Sequence, residues 1–145
     1  MFSHIMVGAN DIEKSKAFYD ATLEALGYRA GVMDDKGRCF WMDKKGIFSI
    51  SKPIDGEPAC NGNGSTIGFA VESTEMADAW HAAGLANGGV ACEDPPGPRT
   101  GTTGSIYLAY LRDPAGNKIC ALYRMPSSSI NREFTVLRKF SVETS

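Results

Sequence analysis

The sequence has few of the residues from which metal clusters and disulfide frameworks are built. Its 145 residues include two histidines and four cysteines, and no two of the cysteines stand in CxxC spacing. Four cysteines in a chain of this length do not make a disulfide scaffold. Zinc-spacing motifs, phosphate-binding glycine loops and Ser-His-Asp orders are also absent. These absences argue against a secreted disulfide-rich protein and favour a reduced, cytoplasmic one.

The sequence also lacks a charge excess and a long apolar run. Its formal net charge is −2, which gives no electrostatic reason to expect binding to nucleic acid or to an anionic membrane. No apolar run approaches the roughly 20 residues that span a bilayer. Residues 1–7 have neither the positive region nor the long apolar region of a signal peptide. We therefore predict a cytoplasmic protein with no nucleic-acid or membrane partner.

What the sequence does contain is a clear hairpin pattern near its end. Apolar, β-favouring residues occupy 106–111 and resume at 119, and residues 113–116 between them read Asp-Pro-Ala-Gly. Proline fixes φ at the second position of a type I turn, and glycine can adopt the left-handed conformation that follows it. This combination is typical of a G1-bulge hairpin. Its ladder places Tyr110 opposite Cys120.

A weaker copy of this hairpin occurs earlier in the chain. Residues 40–50 match residues 110–120 position by position, with Asp43 aligned to Asp113. The match predicts that Phe40 lies beside Ile50, as Tyr110 lies beside Cys120. Each hairpin follows a strand, a helix and a further strand, so the order is β-α-β-β-β twice. An internal repeat is a primary signal for fold assignment. We predict an α+β fold of two tandem modules.

The repeat also sets the expected boundaries. The first module covers about residues 1–52, the second covers about 65–124, and the linker at 53–64 is rich in Pro, Gly and Asn. Asn10 is the expected N-cap of the first helix. An insertion within 93–104 of the second module predicts an irregular loop, either functional or a mobile surface loop. Residues 125–145 form a C-terminal extension whose conformation, packed or frayed, stays open.

The ends of the repeat carry a family resemblance. The segment from His4 to Tyr19 resembles the first strand and helix of the vicinal oxygen chelate superfamily, and Leu111 to Ile119 resembles its last hairpin. That superfamily includes glyoxalase I, extradiol dioxygenases and the bleomycin- and fosfomycin-resistance proteins. The resemblance covers about residues 1–124. It implies a curved, cup-shaped mixed sheet and a homodimer, while the fold alone does not fix the reaction.

The resemblance also implies where a metal would bind. Active members hold a divalent ion such as Zn, Ni, Mn or Fe with side chains from the first and last strands of each module. The corresponding positions are His4, about Ile50, Thr66 and Cys120. A 2-His-1-carboxylate site needs three strong donors, and here His4 and the Cys120 thiolate are the candidates. We therefore expect a degraded metal site with no tightly bound metal.

Each candidate residue has a plainer interpretation beside the functional one. His4 is the candidate catalytic residue, as general base or metal ligand, or else an inherited histidine hydrogen-bonded to a neighbour. Cys120 is a ligand, a nucleophile or a small buried hydrophobe. Tyr110 and Phe40 form walls of a substrate pocket or pack in the core.

Two further positions are candidates for substrate binding. Thr66 occupies the second-module position that aligns with His4, where a histidine is common in the family. Arg99 is the one cation within the Pro/Gly insertion, and it could hold a substrate carboxylate or phosphate bidentately. The plainer interpretation of Arg99 is a solvated loop residue.

Two functions from different classes follow. The first is a superfamily protein that binds a small molecule in its cup without a conventional metal site. The alternative is a metal-dependent glyoxalase-like lyase, isomerase or dioxygenase that acts on a small oxygenated substrate. The missing ligands favour the first, and the breadth of the family keeps the second open.

Overall fold

The computed structural model describes residues 1–101 and 104–126. Two helices and nine strands are present in this part of the chain. The elements are β1 (His4–Gly8), α1 (Ile12–Glu24), β2 (Val32–Met33), β3 (Cys39–Asp43), β4 (Gly46–Ser51), β5 (Ile67–Ala70), α2 (Thr74–Ala86), β6 (Val90–Ala91), β7 (Gly97–Gly101), β8 (Gly104–Arg112) and β9 (Lys118–Arg124). Neither helix is long and apolar enough to cross a membrane.

The strands form two mixed sheets, one for each module. The first sheet has the order β1-β4-β3-β2, and the second has the order β5-β9-β8-β6 with β7 paired to β8. In each sheet the first strand runs parallel to the last, and the remaining pairs are antiparallel. The predicted α+β fold with two β-α-β-β-β modules is confirmed.

The hairpin of β8 and β9 has the predicted geometry. Tyr110 pairs with Cys120 across the ladder. The backbone N–H of Asp113 donates to the Asn117 carbonyl at 2.9 Å, which closes the turn. Gly116 has a φ of 90°, the left-handed conformation that the sequence required of it.

The hairpin of β3 and β4 is one residue shorter. Asp43 pairs directly with Gly46, so the loop between them has two residues. In the second hairpin five residues, 113–117, separate the paired Arg112 and Lys118, whereas in the first hairpin four residues, 43–46, separate the paired Met42 and Ile47. The two hairpins therefore correspond along their first strands but differ by one position along their second strands.

This difference corrects one prediction. Phe40 does not lie beside Ile50; it pairs with Ser49, and Ile50 pairs with Cys39. The parallel pairs show the same shift of one position. Ile5 pairs with Phe48 in the first sheet, and the corresponding Ile67 pairs with Ile119 in the second, so Phe48 corresponds to Ile119. Ser49 is consequently the first-module counterpart of Cys120.

Two local predictions were also wrong. Asn10 is not the N-cap of α1; the Asp11 carboxylate caps it by accepting from the Lys14 backbone N–H at 3.1 Å. The insertion is not wholly irregular, because β7 pairs along β8. Pro98 fits this strand because an edge position leaves room for a residue without an N–H. Most of the C-terminal extension, residues 127–145, lies outside the described part of the chain.

A single aromatic core joins the two modules. It lies between the helices and the inward faces of both sheets. The Phe48 and Phe69 rings, one from each sheet, lie 5.2 Å apart between centroids. Such pairs add about 0.5–1.5 kcal/mol beyond their buried area. The continuous row of aromatic contacts comprises Phe18, Tyr19, Trp41, Phe48, Phe69 and Trp80.

A buried polar network also joins the modules. The Tyr19 hydroxyl on α1 donates to Oδ2 of Asp113 in the β8–β9 turn at 2.6 Å. The Asn117 side-chain amide donates to the same oxygen at 2.8 Å and to the Gly8 carbonyl at 2.9 Å. Burial, and then the neighbouring carboxylate, raise the pKa of Tyr19 well above its ordinary value. Tyr19 is therefore a neutral hydrogen-bond donor at physiological pH.

We expect Tyr19→Phe to lower the free energy of unfolding by about 1–3 kcal/mol, because it leaves a buried carboxylate short of one donor while keeping the ring. Urea denaturation measures this loss. Tyr28→Phe is the matched control, since the Tyr28 hydroxyl donates to Asp43 at an exposed position, 3.0 Å away. Equal losses in the two variants would contradict the structural role given to the Tyr19–Asp113 bond.

Candidate functional site

The sheets present one face to the helices and one face away from them. Along the first sheet, Phe48 and Cys39 point into the core, while His4, Phe40 and Ser49 alternate with them. Along the second sheet Tyr110 and Cys120 alternate with core residues in the same way. We call this outward side of the two sheets the cup face. The predicted residues Phe40, Tyr110 and Cys120 lie on it, whereas Ile50 points into the core beside Cys39.

His4 lies at the start of β1, exposed to solvent. The Ser3 hydroxyl lies 2.8 Å from Nδ1 of its ring. This contact orients the imidazole through Nδ1 and leaves Nε2 available to a ligand. His4 is thus held by a neighbour, as its plainer interpretation required, but it remains accessible to a ligand.

His4 borders a cavity of about 380 Å³ between the modules. We call it the inter-module cavity. Its walls come from the first strand of each sheet, from the end of α1 and from the β3–β4 hairpin. Its aromatic lining consists of Phe2, Tyr28, Trp41, Phe48 and Phe69. A mostly apolar cavity with a few convergent polar groups is the usual form of a small-molecule site.

The polar groups of this cavity cluster around Asp43. Its carboxylate accepts from the backbone N–H groups of Lys45 at 2.7 Å and Gly46 at 3.1 Å, and from the Tyr28 hydroxyl at 3.0 Å. The Lys45 backbone bond and the Tyr28 bond lower the pKa of Asp43. At neutral pH the cavity therefore carries a carboxylate beside the Lys45 ammonium, with His4 also at its edge.

Cys120 lies on the cup face of the second sheet in a different environment. It is 5% exposed, pairs with Gly68 on one side and Tyr110 on the other, and Sγ lies 3.2 Å from where a Gly68 Cβ would be. Burial raises the pKa of the Cys120 thiol to about 11. At neutral pH the group is a protonated thiol. This state suits a small buried hydrophobe better than a metal ligand or nucleophile.

The remaining predicted residues lie apart from the inter-module cavity. Thr66 is exposed just before β5. Phe40 is half-buried, with the Arg38 guanidinium 5.4 Å from its ring centroid. The Lys118 ammonium lies 5.0 Å from the ring centroid of Tyr110. Of the predicted site residues, His4 alone lines this cavity.

Arg99 is engaged within its own loop. Its guanidinium donates to the carbonyls of Gly97 and Pro95 at 3.0 Å and of Asp94 at 3.2 Å. These bonds order the segment that leads into β7. The role of Arg99 as an anchor for an anionic substrate stays a prediction.

Several residues on or beside the cup face were not predicted from the sequence. Ser49 is fully buried, and its hydroxyl donates to the Ile5 carbonyl at 3.1 Å. Glu93 has a φ of 58°, unusual for a residue with a side chain, and forms an ion pair with Lys118. Strand alternation from Cys120 is the signal that could have placed Lys118 on the cup face. No local signal indicated the register of Ser49 or the backbone of Glu93.

Comparison with known proteins identifies the family. The model of the Glyoxalase/Bleomycin resistance protein/Dioxygenase superfamily matches residues 1–121. The chain belongs to this superfamily. The resemblance seen in its first helix and last hairpin is thereby confirmed. The sequence matches no protein with a curated description.

Solved structures of the superfamily share the fold. A glyoxalase/bleomycin resistance protein from Albidiferax ferrireducens T118 is 60% identical, with a TM-score of 0.83, over 86% of this chain and 99% of that one. A lactoylglutathione lyase from Agrobacterium tumefaciens is 18% identical, with a TM-score of 0.59, over 85% and 92%. At that identity the likeness is one of fold alone.

The residues at the positions where the resemblance places a metal offer few strong donors. His4 offers an imidazole. The Ser49 hydroxyl donates a hydrogen bond to a backbone carbonyl, and Cys120 is a neutral, buried thiol. Thr66 offers a hydroxyl, which is a weak ligand. Within residues 1–101 and 104–126, no three His, Cys, Asp or Glu side chains are grouped to hold a metal ion. The donor set is therefore too weak for a 2-His-1-carboxylate site.

We expect iodoacetamide to alkylate the exposed Cys60 at about pH 7 while Cys120 stays unmodified. The Cys120 rate should rise about tenfold per pH unit up to about pH 11, because the reactive thiolate grows in that proportion. Peptide mass spectrometry measures both rates in one sample, and urea-unfolded protein gives the reference rate for each. Equal native rates for Cys60 and Cys120 near pH 7 would show that Cys120 is an accessible thiolate.

Proposed function

We propose that this superfamily member binds a small organic molecule in the inter-module cavity without the help of a metal. The molecule has an aromatic or aliphatic body and one polar end. The body contacts Trp41, Phe48 and Phe69, and the polar end meets His4 and the Tyr28–Asp43 pair. The observation that carries the proposal is the position of His4, the best-placed candidate of the sequence, at the border of an aromatic cavity.

The aromatic lining supports this choice of ligand. Trp41 and Phe48 are tilted rings 5.9 Å apart, and Phe69 meets Phe48 edge to face. Rings fixed by such contacts lose little conformational freedom when a ligand arrives, so the binding surface is preorganised. The volume of about 380 Å³ lies within the range of small-molecule sites.

The alternative function is a metal-dependent glyoxalase-like lyase, isomerase or dioxygenase. One observation favours it: His4 is exposed, and the Ser3 hydroxyl at its Nδ1 holds the ring as an outer partner holds a metal-binding histidine. The weak donors at Thr66, Ser49 and Cys120 count against it. The two functions differ in what His4→Ala would do.

We expect the neutral fluorescent probe N-phenyl-1-naphthylamine to bind chelator-treated protein, and Ala70→Trp to abolish that binding. Ala70 is exposed and lines the inter-module cavity, so an indole at this position fills the cavity without entering the core. Ala91→Trp on β6 is the control, since Ala91 is exposed and lies outside the cavity. Unchanged probe binding in Ala70→Trp would contradict the proposed site.

A thermal melt with Mn²⁺, Fe²⁺, Ni²⁺ and Zn²⁺ separates the proposal from its alternative. A metal at 100 times its dissociation constant stabilises the fold by about 2.7 kcal/mol, which shifts the melting temperature by several degrees. Under our proposal no metal gives a shift that depends on His4. His4→Ala leaves folding intact, and it leaves most of the probe binding intact because the aromatic side chains contact the apolar body of the probe. A metal-induced shift that disappears in His4→Ala would overturn the proposal and favour the enzyme.

We also propose that the protein is a homodimer in which a second copy covers part of the cup face. Support comes from apolar side chains exposed on that face: Val32 is 60%, Met42 is 57% and Val90 is 62% exposed. Several large apolar side chains exposed on one face are typical of a protein–protein contact surface.

We expect sedimentation equilibrium to give the mass of two chains, and Met42→Glu to shift the protein towards the monomer, because a charge would be buried against apolar groups. Leu85→Glu is the control, since Leu85 is 47% exposed on α2, away from the cup face. A wild-type protein that sediments as a monomer at every concentration would contradict the dimer.

A further inference from the structure

The linker between the modules forms one wall of a second cavity. This linker groove has a volume of about 700 Å³ and lies between the end of β1, residues 36–38, and residues 51–60. It shares no lining residue with the inter-module cavity. The proposed function does not use it.

The wall of the groove is fastened to the sheet. The Ala59 backbone N–H donates to the Asn10 side-chain oxygen at 2.7 Å. A Cβ placed on Gly8 would stand 2.8 Å from Ala59 Cβ, so the linker approaches β1 as closely as a glycine permits. Asp55 accepts from the Glu57 backbone N–H at 3.0 Å, which fixes a turn within the linker. The groove is therefore a built feature with a defined wall.

Cations outnumber carboxylates in the lining of this groove. Lys36, Arg38 and Lys52 line it from two segments, residues 36–38 and the linker, and Asp55 is the one carboxylate among its described lining residues. The chain as a whole carries a net charge of −2, so this distribution is local. Of the three cations, Arg38 has a side-chain ion pair among the residues that the structure describes.

Arg38 is oriented to present its outer amino groups. Its Nε donates to Asp34 Oδ2 at 2.6 Å, and its guanidinium lies over the Phe40 ring. Asp34 is held in turn by the backbone N–H groups of Lys36 and Arg38, at 3.0 and 2.9 Å. In residues 1–101 and 104–126, Nη1 and Nη2 of Arg38 make no hydrogen bond. A fixed guanidinium with two open amino groups matches a carboxylate, sulfonate or phosphate.

Most of the remaining lining is apolar. Met6 and Val7 come from β1, and Pro53, Ile54 and Pro58 come from the linker. Ile54 is fully exposed, which is unusual for so large an aliphatic side chain. Apolar walls beside a held guanidinium and two exposed lysines suit a molecule with one anionic group and an apolar body. We propose that the linker groove is a second binding site, for a small amphipathic organic anion.

Two probes with the same aromatic body test this site separately from the inter-module cavity. 1-Anilinonaphthalene-8-sulfonate carries an anionic group, and N-phenyl-1-naphthylamine is neutral. We expect Lys36→Gln/Lys52→Gln, which keeps the Arg38–Asp34 pair, to weaken the anionic probe about tenfold and leave the neutral probe unchanged. Ala70→Trp should do the reverse, because Ala70 lines the other cavity.

Further variants assign the effect to the groove. Arg38→Lys keeps the charge but loses the planar fork, so it should weaken the anionic probe less than Arg38→Gln does. Lys14→Gln, an exposed cation on α1 outside the groove, should leave both probes unchanged. Octanoate should displace the anionic probe, whereas octanol should not.

The contrary results are equally specific. Anionic-probe binding that survives both the lysine double variant and Arg38→Gln would overturn the groove as an anion site. Loss of that binding in Ala70→Trp alone would place both probes in the inter-module cavity and would overturn the second site while leaving the first standing. Loss of neutral-probe binding in Ala70→Trp, with the anionic probe lost only in the groove variants, would support both.

Discussion

The arrangement of the two modules depends on one buried carboxylate. Asp113 is 3% exposed and accepts four hydrogen bonds: two from backbone N–H groups of its own turn, one from the Asn117 amide and one from the Tyr19 hydroxyl. A carboxylate buried without such partners costs several kcal/mol. Because Tyr19 belongs to the first module, Asp113 is fully satisfied only when α1 packs against the β8–β9 turn. The inter-module cavity exists because this contact and the Phe48–Phe69 pair fix the distance between the sheets.

The same turn explains why the two halves of the cup face are not equivalent. The second hairpin carries one more residue in its turn than the first. One residue in a turn moves the following strand by one position against the repeat. Ser49 therefore stands where alignment by the first strand of the hairpin suggested Ile50. Its hydroxyl binds the Ile5 carbonyl, and this bond satisfies a buried polar group instead of serving a ligand.

The parts of the fold that the sequence predicted are those with strong local chemistry. The Pro114–Gly116 turn and the pairing of Tyr110 with Cys120 follow from backbone preferences, and the order of elements follows from the repeat. The missed features depend on contacts between distant segments. The Asn10 side chain accepts a hydrogen bond from Ala59, which lies 49 positions along the chain, and Asp11 caps α1 in its place. Residues 97–101 become a strand because β8 offers its edge, not because of their own β propensity. Both cavities likewise arise where separate segments meet, so neither has a continuous sequence signature.

The protonation and bonding of the candidate ligands decide how this site is understood. A metal site gains its affinity from deprotonated donors, and metal binding must displace whatever those donors already bind. Burial keeps Cys120 protonated, and Ser49 is committed to the backbone, so binding a metal would cost free energy at both positions. His4 is exposed, and Ser3 is its one side-chain hydrogen-bond partner among the described residues. A histidine of this kind serves well as a hydrogen-bonding group at the border of an aromatic cavity. These properties of the side chains are the reason that we propose the binding of an organic molecule and not of a metal.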